Sequence, residues 1–336
     1  MSVWIGVIIL AFVFTFIVGF HDGCNVIGSA ICSRSLSPSC SLLLASISEF
    51  LGPIFLGTAV AVTIGKQIID PGILTPSQKS ICTVLIFTAL LSATSWNIIT
   101  WWIGIPSSSS HALIGGLVGA GIGAYGVKVV NWHIFLIKVI GAMFVTPIFA
   151  FLLSFLIMKL TILFLSGAPS RLNIVFKRLH FLSVMCLGAS HGTNDAQKCM
   201  GLVTLILVIN GKITSFHVPL WLVLASAGSL ALGVSMGGWR IIKTIGKITC
   251  KLSPVHSFNA QMAASIIVII SSLLGGAVST TQVTNSSLVG VGVAWRFSSV
   301  RWNVARDIVN AWLVTIPFTI LLSAVIMYGI KIIFFG

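Results

Sequence analysis

The stretch His191-Gly192-Thr193-Asn194-Asp195-Ala196-Gln197-Lys198 lies inside an otherwise apolar segment running from residue 181 to 209. A carboxylate at that depth in a membrane costs about 2.5–3.5 kcal/mol on insertion scales, so it faces a cavity or a partner and marks an ion pathway. A second cluster of the same kind, Gly19-Phe20-His21-Asp22-Gly23-Cys24-Asn25, ends the first apolar stretch. Composition widens the membrane reading to the whole chain. Of 336 residues, 57% are hydrophobic and 7% charged, where soluble domains carry roughly 25% charge.

Ten apolar segments follow one another, near 3–31, 40–64, 81–103, 108–125, 133–165, 181–209, 218–237, 258–275, 280–295 and 308–334. Several are long enough to cross a bilayer. The first lacks a basic leader and reads as a retained helix rather than a signal peptide. A net charge of +14 suggests nucleic acid in a soluble protein, but here the basic residues sit in short connections, so topology explains them and no nucleic-acid partner is expected. Seven cysteines without a CxxC pair read as small packing residues.

The two halves resemble each other. Asp22 and Gly28 recur as Asp195 and Gly201 at an offset of 173, Ser108-Ser109-Ser110 as Ser279-Thr280-Thr281 at 171, and Trp132 and Pro147 as Trp302 and Pro317 at 170. Five segments per half reverse the orientation of the second half, which predicts an all-α polytopic protein of two inverted-topology repeats, residues 1–168 and 181–336. Residues 169–180 form a basic cytoplasmic connection. With both termini outside, eleven basic residues (Arg34, Arg171, Lys177, Arg178, Arg240, Lys243, Lys247, Lys251, Arg296, Arg301, Arg306) fall inside. Lys66, Lys79, Lys128, Lys212 and Lys331 fall outside, as the positive-inside rule requires.

Only five acids exist. Asp22, Glu49 and Asp195 lie in apolar segments, Asp70 precedes Pro71 in a connection and reads as a turn residue, and Asp307 reads as an ion pair with Arg306 at a helix start. Both polar clusters combine glycines with oxygen ligands, the pattern of a broken helix that frees carbonyls for a small hard cation or a proton. His21, Asp22, Asn25, Asn194, Asp195 and Glu49 are therefore the candidate cation-coupling residues. Consecutive hydroxyls preceding the Gly-rich segments, Ser108-Ser109-Ser110 and Ser279-Thr280-Thr281, offer O–H donors at the positive end of a half-helix, which favours an oxyanion. Lys198 requires a nearby negative charge, either Asp195 three residues earlier or the anion itself. His111, Gln282, His191 and Gln197 are supporting candidates.

At these residues the sequence resembles the inorganic phosphate transporter (PiT) family, over nearly its full length. The matching motifs are Gly19-Phe20-His21-Asp22 through Asn25, His191-Gly192-Thr193-Asn194-Asp195 through Gln197-Lys198 and Met200-Gly201, and the two hydroxyl triplets. The resemblance implies symport of inorganic phosphate with sodium or protons, with phosphate held near the midplane by the hydroxyl motifs. It departs from the family pattern at His21, where Asn is usual, and at Gln282, where His is usual. His21 with Gln197-Lys198 resembles the bacterial low-affinity, proton-coupled branch. The expectation is therefore a multi-pass carrier of the bacterial plasma (inner) membrane, without cofactor or resident metal, and compatible with a homodimer. Sodium coupling, a metal-phosphate complex, another oxyanion such as sulfate, and a passive channel remain alternatives. An intramembrane hydrolase using His21, Asp22, His191 and Asp195 as metal ligands lacks HExxH and leaves the inverted symmetry unexplained.

Overall fold

A computed structural model describes residues 3–66, 79–165, 167, 172–249 and 252–335. Asp70, Pro71, Arg171 and Lys251, discussed above, lie outside the described residues. Among the described residues, apart from two short 3-10 turns, twelve helices follow in order: α1 Val3–Cys32, α2 Pro38–Phe55, α3 Ala59–Lys66, α4 Lys79–Ile103, α5 Ser109–Tyr125, α6 Trp132–Leu165, α7 Leu172–Ile209, α8 Leu220–Met236, α9 Trp239–Ile245, α10 Pro254–Leu273, α11 Thr280–Trp295 and α12 Trp302–Phe335. Among the described residues there is no strand, only an isolated bridge between Thr249 and Val300.

Seven of these helices are long and apolar enough to cross a membrane. The bent pair of α8 and α9, with 72° between its arms, makes an eighth if it is one span. The sequence reading of ten spans therefore exceeds the helices that qualify by length. The difference lies chiefly in α5 and α11, with 17 and 16 residues, which reach only about 25 Å at 1.5 Å per residue. A hydrocarbon core is about 30 Å thick. Each is the second arm of a helical hairpin. Gly104 (φ 79°) ends α4 and Gly275 (φ 75°) follows α10, and this left-handed backbone, which glycine adopts without steric cost, turns the chain back inward just before each hydroxyl triplet.

Burial is inverted relative to a soluble protein. Polar side chains such as Asp22, Glu49, Asp195 and Lys198 are buried, while Leu, Ile, Val and Phe cover the outside. Exposed tryptophans stand near helix ends, with Trp102 closing α4, Trp132 and Trp302 opening α6 and α12, and Trp295 closing α11. That is where amphipathic indoles sit at a membrane interface.

Packing partners come in couples that exchange when α1–α6 are swapped for α7–α12. Helix α1 packs on α8 as α7 packs on α2; α5 packs on α12 as α11 packs on α6; the hairpin α4–α5 is matched by α10–α11. Glycines set the close crossings. A Cβ at Gly19 would collide with the backbone of Leu230, one at Gly233 with Phe16, one at Gly192 with Glu49 and one at Gly52 with Ala189, so small residues let the helix backbones touch.

These crossings also overturn one expectation. Helices α1 and α7 run unbroken through His21–Asn25 and His191–Lys198. The glycines there serve helix–helix contact rather than unwinding, and the polar side chains find partners on other helices, so no backbone has to be released. The expected ion pair of Arg306 with Asp307 is also absent among the described residues; both side chains stand exposed at the start of α12, where water or headgroups can satisfy them separately.

Candidate functional site

Six helices, α1, α2, α4, α5, α7 and α11, bring polar residues to one buried place. Asp22, His191 and Asp195 present ligand atoms within 4.8 Å of one another, although Asp22 and Asp195 lie 173 positions apart. The hydroxyls of α11 join the two carboxylates: Thr280 Oγ1 donates to Asp195 Oδ2 at 3.2 Å and Thr281 Oγ1 to Asp22 Oδ1 at 3.2 Å. On the α5 side, Ser110 Oγ donates to the Val278 carbonyl at 3.0 Å, and Asn194 Nδ2 donates to that carbonyl at 2.9 Å and to Asp195 Oδ1 at 3.0 Å. The beginnings of α5 and α11 therefore converge on the aspartates with the positive ends of their dipoles.

Each aspartate has its own neighbours. His21 Nδ1 lies 2.6 Å from Asp22 Oδ1, and His21 Nε2 continues to Thr100 Oγ1 at 3.0 Å, which contacts Ser107 Oγ at 2.8 Å. Asn25 Nδ2 donates to Thr281 Oγ1 at 2.9 Å, leaving its buried Oδ1 without a partner. Asp195 is bonded by the Lys198 ammonium, which also donates to Ser110 Oγ. It is approached as well by His191 Nε2 at 2.8 Å, whose Nδ1 lies 3.0 Å from Glu49 Oε1. Lys198 stands at the offset of 173 from Asn25. Lys198 thus donates to Ser110 as Asn25 donates to the equivalent Thr281, and it bonds Asp195 in addition.

The candidate residues divide by what they touch. Ser108 and Ser279 are N-caps, accepting from the backbone N–H of His111 and Gln282 at 3.3 Å each. Ser109 Oγ, His111 Nδ1 and both amide atoms of Gln282 are buried without a protein partner, and so have hydrogen-bonding capacity to spare for a ligand. Gln197 does not join the aspartates. Its Oε1 accepts from Val60 N and Ala61 N at 2.7 and 3.3 Å, and its Nε2 donates to Gly57 O at 2.6 Å, which caps the start of α3. Thr100 and the Val278 carbonyl belong to the network but carry no sequence signal, since one is a single hydroxyl in an apolar run and the other a backbone atom.

None of these seventeen candidates is more than 3% exposed, so the site is closed to both faces. Asp22, His191 and Asp195 are the ligand types of a metal site, but the Lys198 ammonium already compensates Asp195, which lessens the need for a resident divalent metal.

Comparisons with known proteins identify the relatives of the chain. The profile of the phosphate transporter family matches residues 18–171 and 166–323. The chain is 40% identical over 327 residues to a Rhizobium meliloti (strain 1021) protein named "Probable low-affinity inorganic phosphate transporter", covering 97% of this chain and 96% of that one. A Bacillus subtilis (strain 168) protein of the same name is 38% identical over 330 residues, covering 98% and 97%. The fold matches a solved structure described as "The sodium-dependent phosphate transporter", with a TM-score of 0.90 at 24% identity over 99% of this chain and 100% of that one. The two matched stretches together take in all the site residues, and the chain belongs to the phosphate transporter family.

Proposed function

We propose that the chain is a secondary carrier that moves inorganic phosphate across the bacterial inner membrane together with a proton. The observation that carries the choice of proton is Lys198. In the α1 half, Asp22 is accompanied by Asn25 and Thr281, an oxygen set suited to a small hard cation. In the α7 half, an ammonium already compensates Asp195. One of two equivalent cation positions is thereby filled by the protein itself. His21 Nδ1 against Asp22 at 2.6 Å gives the other aspartate an imidazole partner, a side chain able to take up and release a proton.

Phosphate is held in this reading by Ser109, Ser110, Thr280, Thr281 and Lys198, with the dipoles of α5 and α11 behind them. Phosphate near neutral pH still donates a proton to an acceptor such as Asp22 or Asp195, whereas sulfate cannot, which favours phosphate over sulfate. The two sets of six helices would form inverted repeats, with the exchange of packing partners in support. Alternating access by one half against the other then opens a closed site to each face in turn. The metal-hydrolase reading falls away, since the family and the relatives are transporters.

Sodium coupling is the second reading, favoured by the unpartnered Asn25 Oδ1 beside Asp22 and Thr281 and by the described sodium dependence of the structural neighbour. Radiolabelled phosphate uptake into proteoliposomes separates the two. Accumulation driven by an acid exterior without sodium supports the proton; accumulation only under a sodium gradient supports sodium.

A further inference from the structure

The fold builds one crevice twice, with different chemistry each time. In the first half a cavity of about 660 Å³ is lined by Ile114 of α5 and by Leu136 and Ala142 of α6. In the second half a cavity of about 370 Å³ is lined by Asn285 of α11 and by Arg306 and Trp312 of α12. These residues pair at offsets of 171, 170 and 170, the same offsets that relate the hydroxyl triplets and Trp132 to Trp302. The packing of α5 on α12 and of α11 on α6 accounts for a crevice in both places. It does not account for the amide, guanidinium and indole of Asn285, Arg306 and Trp312, which stand where the other crevice has Ile114, Leu136 and Ala142.

Two of those polar groups have nothing to bond. Asn285 is 2% exposed and neither of its amide atoms has a protein partner; the buried Trp312 indole N–H has none either. Buried groups of this kind are normally satisfied, so a ligand that supplies an acceptor removes a penalty the protein otherwise carries. Around them the wall is apolar, formed by Val289, Ile308 and Val309. Val309 lies on the exposed face of α12, so the cleft is continuous with the surface that faces lipid. Arg306 stands exposed at its rim and makes no ion pair among the described residues.

We propose that this cleft binds one anionic phospholipid. Its acyl chain lies against Val289, Ile308 and Val309, an ester carbonyl accepts from Trp312 Nε1 and Asn285 Nδ2, and the phosphate meets Arg306. A water-soluble anion has no use for the apolar wall. A zwitterionic headgroup brings an ammonium toward Arg306 and toward Arg301 in the turn that opens α12, whereas an anionic headgroup brings only complementary charge.

The test replaces residues by their repeat counterparts, Arg306→Leu and Asn285→Ile, and measures phospholipid retained by the purified full-length protein after exchange into mixed phosphatidylglycerol and phosphatidylcholine. One arginine near an anionic headgroup corresponds to a preference of about fivefold. The wild type is expected to hold phosphatidylglycerol over phosphatidylcholine by that factor. Arg306→Leu removes the preference, and Asn285→Ile lowers retention of both lipids. Should Asn285→Ile fail to fold, Arg306→Leu at its exposed position carries the test alone. Equal retention of the two lipids by the wild type, or an undiminished preference in Arg306→Leu, overturns the proposal. Efficient disulfide-linked dimers of a Val309→Cys variant in native membranes overturn it too, by showing a second copy seated on the cleft.

Discussion

Asp22 and Asp195, on different halves of the chain, accept hydrogen bonds at 3.2 Å from the consecutive residues Thr281 and Thr280 of α11. The N-terminal turn of one short helix therefore reads the state of both carboxylates. A ligand that recruits these hydroxyls alters Asp22 and Asp195 together, which is a structural basis for linking anion binding to cation or proton binding.

Removing donors from that turn should weaken the anion more than the fold. Each hydroxyl donor to a charged oxyanion contributes about 1.5–3 kcal/mol, so Ser109→Ala combined with Thr280→Ala is expected to raise the phosphate dissociation constant more than 100-fold with near-normal abundance in the membrane. Phosphate titration of the purified variant measures it. Unchanged binding would place the anion elsewhere.

The aspartates should differ in what their loss does to stability. Asp195→Asn strands the Lys198 ammonium in a buried site, at about 3–5 kcal/mol, and lowers the melting temperature in detergent. Adding Lys198→Met should restore the melting temperature while leaving accumulation of phosphate abolished. Asp22→Asn is expected to abolish accumulation with a smaller thermal effect, because it strands no ammonium of the kind Lys198 presents to Asp195. Equal thermal loss in both single variants would contradict the asymmetry.

Gln197 is expected to act on structure alone. Gln197→Ala leaves the Val60 and Ala61 N–H groups and the Gly57 carbonyl without their side-chain partner, costing about 1–3 kcal/mol per buried group left unsatisfied. Thermal stability should fall while phosphate affinity of the folded protein is kept. A variant of normal stability with lost affinity would return Gln197 to the binding site.

Close helix crossings supply a further check. Gly192→Ala presses a methyl group onto the backbone of Glu49, and overpacking of this kind costs about 1–3 kcal/mol. Melting of Gly192→Ala should fall well below that of an alanine placed at Gly6, which has nothing within 4 Å. Equal melting of the two would show that the α2–α7 contact is not close.

Much of the site was legible because its residues are expensive in lipid. Asp22 and Asp195 stand out in apolar segments, and their recurrence in one order with the hydroxyl triplets foretold that residues 173 positions apart would meet. The continuity of α1 and α7 was not legible. A glycine beside polar residues looks the same whether it breaks a helix or lets another helix approach, and only Leu230 over Gly19 and Glu49 over Gly192 decide the matter. Gln197 likewise sits within the densest motif yet turns to α3, because a side chain's direction depends on helix rotation that spacing leaves open. The equivalence of Asn25 with Lys198 was present in the offset, but its chemical meaning required seeing each donate to an equivalent hydroxyl, Thr281 and Ser110.

That equivalence allows the most direct test of proton coupling. Phosphate accumulation in proteoliposomes is measured for the wild type and for Lys198→Asn, each under an imposed proton gradient and under an imposed sodium gradient. The account predicts that the wild type responds to the proton gradient without sodium, and that Lys198→Asn, which restores an amide where Asn25 has one, gains dependence on sodium. A wild type that accumulates phosphate only with external sodium and ignores the proton gradient would contradict it.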